Sequence, residues 1–299
     1  MDPRPASDVP AALLMLAAVA LFGVMDAGLK LLAPHYAPMQ VATLRGASAL
    51  PLVLVWALAT VGVRGLLVVQ WPLHLLRGLL GVAMMAGFVY GLRTLPLTTA
   101  YAITFVAPLL VTAMAVPLLG ERVGPRRWTA IAIGLVGVLV VLRPTGEGML
   151  TLAGLAVLLA AVCYAAGVII VRMLARRDST QAMVFWFLAI LAVVAGVLAW
   201  RDWVPVRSEH LWMIAAIGVS GTLAQVALTE AFRRGEASRI APLDYTALVW
   251  GVLADLLLWQ VLPDGVTWIG AGIIVASGLY LIRRERAQGQ SAQAAMPPP

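Results

Sequence analysis

Charge is scarce in this chain. Of its 299 residues 12% are charged and 62% are apolar, with a mean hydropathy of +0.94. That balance excludes an ordinary water-soluble domain, in which about a quarter of residues carry charge. Cysteine is limited to Cys163, so an intramolecular disulfide is excluded. Histidine is limited to His35, His74 and His210. No GxxxxGK[ST] loop and no HExxH helix occurs, so ATP-driven pumping and zinc hydrolysis lack their chemistry within this chain. The "GVSG" string at 218–221 offers a serine, but no histidine falls mid-span on another helix to activate it. Neither a cofactor, a metal site nor a catalytic residue is expected, and the chain does not read as an enzyme.

Long apolar runs are what it has in plenty. Ten stretches, at roughly 11–32, 40–62, 73–92, 98–119, 128–142, 151–175, 182–200, 210–231, 240–260 and 267–282, are separated by short, mostly arginine-bearing turns. A helix of about 20 apolar residues matches the hydrocarbon thickness of a bilayer. An all-α membrane protein of ten transmembrane helices follows, with the lipid bilayer as its solvent. The +7 net charge then needs no nucleic acid to explain it. With a cytoplasmic N-terminus, 15 arginines collect on the inner side, Arg77 among them, against Arg93, Arg143, Arg201 and Arg207 outside. The positive-inside rule therefore predicts cytoplasmic termini and an inner, plasma-membrane location. Residues 1–10 read as a cytoplasmic N-terminus, with no cleaved leader expected because the apolar run after them is too long. The Gln-, Ala- and Pro-rich residues 287–299 read as a disordered cytoplasmic tail.

Residue n laid over residue n+140 from Gly91 onward matches Arg93 with Arg233, Trp128 with Trp268 and Arg143 with Arg283, seven identities in 53 positions. The units are expected at 11–143 and 151–283. Five spans per unit is an odd number, so the second must enter the membrane from the opposite side. Inverted-topology repeats of this kind hold a substrate near the midplane between the halves and expose it alternately.

Charges inside spans are candidate functional groups by default. Asp26, Lys30, Arg45, Glu230, Asp244 and Asp255 are expected to gate or organise a cavity. Asp26 is expected to pair with Lys30 or Arg45, and Asp244 to lie near Arg239 and Glu230. Asp244, Ala247, Gly251 and Asp255 share one stripe of the ninth span, where small residues leave room for a cavity or a close neighbour. In the fourth span Tyr101, Thr104, Phe105, Pro108 and Thr112 share a face, and Pro108 cannot donate to the carbonyl of Thr104. Such a freed acceptor must be buried in protein or face a wet cavity. Pro242 is expected in the first turn of its span, where a missing donor costs little. Met84, Met85, Tyr90, Tyr164, Gln225, Tyr245 and Trp250 join Tyr101, Thr104 and Phe105 as candidate substrate contacts.

The strings "LPLTTAYAITFVAPLLVTAMAVPLLGERVGPRRWTAIAIGLVGVLVVLRP" (95–144) and "EAFRRGEASRIAPLDYTALVWGVLADLLLWQVLPDGVTWIGAGIIVASGLYLIRRER" (230–286) resemble the C-terminal parts of two EamA domains of the drug/metabolite transporter superfamily. The "LGER" turn at 119–122 followed by Trp128 carries the likeness, and the second half departs from it, with Val261 in the place of Glu121. The resemblance implies a ten-helix metabolite exporter with a central cavity. The expected function is secondary export of small metabolites, with amino acids, aromatic or apolar ones included, as cargo and no ATP as partner. Other metabolites or drugs, a non-transporting receptor and a lipid-acting enzyme are the alternatives.

Overall fold

The computed structural model describes residues 9–120, 124–125, 128–129, 132–133, 136–137, 140, 151–262, 264–266, 268–273 and 275–276. Every regular element among them is helical: α1 (Val9–Leu32), α2 (Pro38–Thr60), the short α3 (Gly62–Leu67), α4 (Trp71–Leu92), α5 (Leu97–Thr104), α6 (Val106–Leu119), α7 (Leu152–Leu174), α8 (Thr180–Ala199), α9 (Leu211–Arg234), α10 (Ala237–Ile240) and α11 (Ala247–Trp259). Three short 3-10 turns complete the set, the longest being Ala241–Thr246 between α10 and α11.

Among the described residues seven segments are long and apolar enough to cross a membrane. The expected ten are not reached as continuous helices. The ninth is divided by its 3-10 turn, and the fifth and tenth fall partly outside the described residues, where 125–140 and 265–276 are helical as far as they are described. Residues 1–8, the tail 287–299, Glu121, Arg126, Arg127 and Arg143 also lie outside them. Leucine and valine side chains such as Val55, Leu79, Val193 and Leu257 stand exposed on the outer surfaces, which suits hydrocarbon rather than water.

Short connections force the spans to alternate in direction. The side where α1 begins is the near face and the side where it ends is the far face. α1 packs along α9, α4 along α7 and α2 along α8; α6 also packs on α7, and α11 with its preceding turn on α1. Exchanging the first span with the sixth, the second with the seventh, the third with the eighth and the fourth with the ninth returns this same set of pairs.

The fourth and ninth spans are broken alike. The first halts at Thr104, turns through Phe105 and restarts at Val106; the second halts at Ile240 and runs as a 3-10 turn to Thr246. Proline explains both, because Pro108 and Pro242 each leave a carbonyl four residues back without its helical donor. Pro242 stands in the first turn of the Ala241–Thr246 segment, as expected, and the short helix Ala237–Ile240 before it places that turn at a break. The two runs end alike too. Gly120 (φ 72°) and Gln260 (φ 56°) close them in the left-handed region, their N–H groups donating to Ala115 O and Asp255 O.

Gln260 is the one non-glycine with positive φ among the described residues. A side chain costs about 1–2 kcal/mol in that conformation, part of which glycine gives back as chain entropy. Gln260→Gly should stabilise the protein by up to about 1 kcal/mol, read as a raised thermal midpoint in detergent.

Candidate functional site

A cavity of about 180 Å³ lies between the breaks, walled by α1, α2, α4, α5, α6, α7, α8, α9 and the Ala241–Thr246 turn. Met84, Met85, Tyr101, Thr104, Phe105, Tyr164 and Gln225 line it, as do Asp26, Arg45 and Asp244. Seven of the ten expected substrate contacts thus converge there. Tyr245 is buried just outside the lining, its ring edge-on to Phe105 at 5.3 Å between centroids. These two aromatics are 140 residues apart and stand at the two breaks. Tyr90 (37% exposed) faces a separate hollow beside Pro38 and Asp202, and Trp250 (38% exposed) lies against Gly23 of α1. Both are turned away from the cavity by the face of the helix that carries them.

Two acids are held in the wall by phenols. Tyr101 Oη donates to Asp26 Oδ2 at 2.7 Å, and Tyr164 Oη donates to Asp244 Oδ2 at 2.8 Å. The first pair joins the first and fourth spans, the second the sixth and ninth, with acid and phenol exchanged. Asp26 thus bonds Tyr101 rather than Lys30, with Arg45 in the same wall but outside ion-pair contact, and Asp244 bonds Tyr164; the side chain of Arg239, its other expected neighbour, lies outside the described residues. Gly251 is the small residue that permits the first pair. A β-carbon there would fall 2.7 Å from Cδ2 of Tyr101, so this part of the small-residue stripe seats a neighbour's ring rather than open space.

Toward the far face Lys30 and Asp255 form an ion pair, a candidate seal. Lys30 Nζ donates to Asp255 Oδ1 at 2.7 Å and lies 4.1 Å from the centre of the Trp259 ring. The carboxylate also accepts Leu97 N at 3.1 Å, Thr98 N at 2.7 Å and Thr98 Oγ1 at 2.7 Å. Asp255 thus caps the start of α5 from 158 residues away, satisfying donors that a helix N-terminus leaves open and meeting its positive dipole end. That environment outcompetes Asp26 for Lys30. Farther out, Tyr36 Oη bonds His210 Nδ1 at 2.8 Å and accepts Arg207 N at 3.1 Å, while Arg93 donates to Ala33 O and Tyr36 O.

The near face is tied differently. Glu230 accepts from Thr180 Oγ1, from Arg233 Nη1 at 3.3 Å and from Arg234 Nε at 2.8 Å, and it does not reach the cavity. His74 Nε2 meets Asp178 Oδ2 at 2.8 Å, and the same oxygen accepts Gln70 N.

Arg77 and Phe187 are the residues that sequence reasoning missed. The charge count takes Arg77 only as an inner-side arginine, yet it is buried within α4 and lines the cavity, donating from Nη1 to Met183 O at 2.8 Å. Its place six residues past Trp71, inside an apolar run, was the available signal. Phe187 carries no mark in sequence; it matters because the guanidinium groups of Arg45 and Arg77 approach its ring, at 6.0 Å and 5.0 Å.

Removing one partner of a buried ion pair costs about 3–5 kcal/mol, so Asp255→Asn should unseal the far face and raise, by about tenfold or more, the rate at which an impermeant thiol reagent added on that side modifies Cys163 in the cavity wall. An unchanged rate refutes the seal.

The chain matches the model of the EamA-like transporter family twice, over residues 9–143 and 151–283. It is 30% identical over 216 residues to a pseudopaline exporter of Pseudomonas aeruginosa, covering 72% of this chain and 76% of that one. An S-adenosylmethionine uptake transporter of Rickettsia conorii is 33% identical over 213 residues, 71% of this chain and 72% of its own. A riboflavin transporter of Vibrio cholerae is 32% identical over 231 residues, 76% and 77% of the two chains. One crystal structure superposes with a TM-score of 0.73 at 21% identity, covering 92% of this chain and 98% of that one, a likeness of fold. The two matches to the family model cover nearly the whole chain, and the chain belongs to the EamA-like transporter family.

Proposed function

We propose that this protein is a secondary transporter of the inner membrane that exports small amphipathic metabolites, amino acids with aromatic or apolar side chains foremost, by alternating access. The observation that carries the reading is the cavity itself. It lies at the level of the helix breaks, it holds carboxylates and guanidinium groups together with aromatic rings, and its far end is closed by Lys30 and Asp255. A zwitterion requires both signs of charge, and an aromatic or apolar side chain requires the Met84, Met85, Phe88 and Phe105 wall.

The architecture proposed is ten membrane-spanning helices in two inverted units, 11–143 and 151–283, with both termini cytoplasmic. Supporting it are the exchange-related helix pairs, the two breaks 140 residues apart and the excess of arginine on the near side. In that orientation the near face is cytoplasmic and the seal faces outward. Asp26, Arg45 and Asp244 then organise the cargo; Tyr101, Thr104, Tyr164 and Gln225 contact it; Lys30 and Asp255 open and close the outer end. Glu230, with Thr180 and the two arginines of its own helix, ties the inner end.

Relatives include an uptake transporter as well as an exporter, so direction is measured and not inherited. Proteoliposomes loaded with labelled amino acids should release at least one aromatic or apolar member saturably and without ATP. A panel that never leaves the vesicles overturns the amino-acid reading, and binding without flux would favour a receptor. Tyr101→Phe leaves Asp26 without its donor, an omission worth about 1–3 kcal/mol, and should lower flux by about 5- to 100-fold while the protein still inserts and folds.

A further inference from the structure

Arg45 has no carboxylate in ion-pair contact among the described residues; the acid whose charge reaches it is Asp26. Its side chain is 3% exposed, its Nη1 is buried without a partner, and its one hydrogen bond runs from Nε to the thioether of Met25 at 3.2 Å. A thioether is a weak acceptor. Among the described residues Arg77 likewise makes a single hydrogen bond, to Met183 O. Among the described residues neither guanidinium has a carboxylate in ion-pair contact, although Asp26 stands in the same cavity wall. A buried charge left unmatched is costly, and it is tolerated where another molecule supplies the match.

We infer that Arg45, with Arg77 beside it over the Phe187 ring, receives a carboxylate of the cargo, which narrows the substrate class to carboxylate-bearing amphiphiles. The inference rests on the transport reading above. The planar fork of a guanidinium matches a carboxylate in two parallel hydrogen bonds. A phosphate fits the wall less well, because its added negative charge would share the cavity with Asp26 and Asp244. Each of those acids holds its phenol on Oδ2 alone and leaves Oδ1 without a hydrogen bond among the described residues. They are the complement for an ammonium group on the same cargo. The guanidinium side is built from α2 and α4, the acid side from α1 and the turn after α10.

Cys163, the one thiol of the chain, lines the same cavity and reports its occupancy. The test uses the full-length protein in lipid nanodiscs, a small methanethiosulfonate reagent and three probes: L-phenylalanine, 3-phenylpropionate and phenethylamine. The two carboxylates should slow modification of Cys163, and the amine should slow it several-fold less. Arg45→Met should abolish that protection and raise the thermal midpoint, because it removes a buried charge that has no ion-pair contact among the described residues; Arg45→Lys should keep part of the protection. Thermal shifts with 3-phenylpropionate, read without any thiol chemistry, should follow the same order. Equal protection by phenethylamine, protection by none of the probes, protection retained in Arg45→Met, or a lowered midpoint in that variant would each overturn the inference. Flux separates it from the broader reading: vesicles that move a carboxylate-free cargo keep transport and sink the Arg45 site, whereas carboxylate protection with no flux of any probe does the reverse.

Discussion

A carboxylate taken into hydrocarbon must collect its donors from the protein, since lipid supplies none, and Asp255 does so from two other elements at once. It takes an ammonium from α1, two backbone N–H groups and a hydroxyl from the start of α5, and it sits on α11. These donors and their acceptor come from the two segments that the family model matches separately. Holding them together fixes where α5 begins, and so the depth at which the fourth span breaks. The position of Tyr101, four residues on from Leu97, and through it the hold on Asp26, descends from that arrangement.

The two breaks are the other half of the same logic. A continuous helix spends every backbone group on itself and offers a cavity only side chains. Proline at 108 and at 242 interrupts that economy in the middle of the bundle, and the aromatic rings of Phe105 and Tyr245 meet where the two interruptions face each other. Polar atoms released there must be buried in protein or face water, which is why the cavity lies at this level. The acid–phenol pairs on either side carry the pattern into the side chains, with Asp26 on the first span answered by Tyr164 on the sixth.

Spans were legible in sequence because length and apolarity are local properties. The 140-residue spacing was legible as a few matched residues, and the breaks recur at that spacing although the side chains around them differ. Asp255 as a partner of Lys30 was one option among several; Tyr101 as the partner of Asp26 was not foreseen, because helical neighbours one turn apart seemed the nearer solution. Arg77, although inside the third span, was tallied only for its side of the membrane, because a count of charges by side registers no depth. Tyr90 and Trp250 were grouped with the cavity by residue type, and the rotation of their helices put them elsewhere.

Sequence alone determined that this chain must live in a bilayer as packed helices, because no other solvent rewards so many long apolar runs with so little charge. It also determined which few polar side chains had to be accounted for. Which of them meet was decided only by tertiary packing. Lys30 and Asp255 are 225 residues apart, and their contact depends on how α1 and α11 are rotated and staggered. Helix rotation and stagger come from side-chain fit between neighbours, such as the tyrosine ring seated on Gly251, and that fit exists only once the helices are assembled.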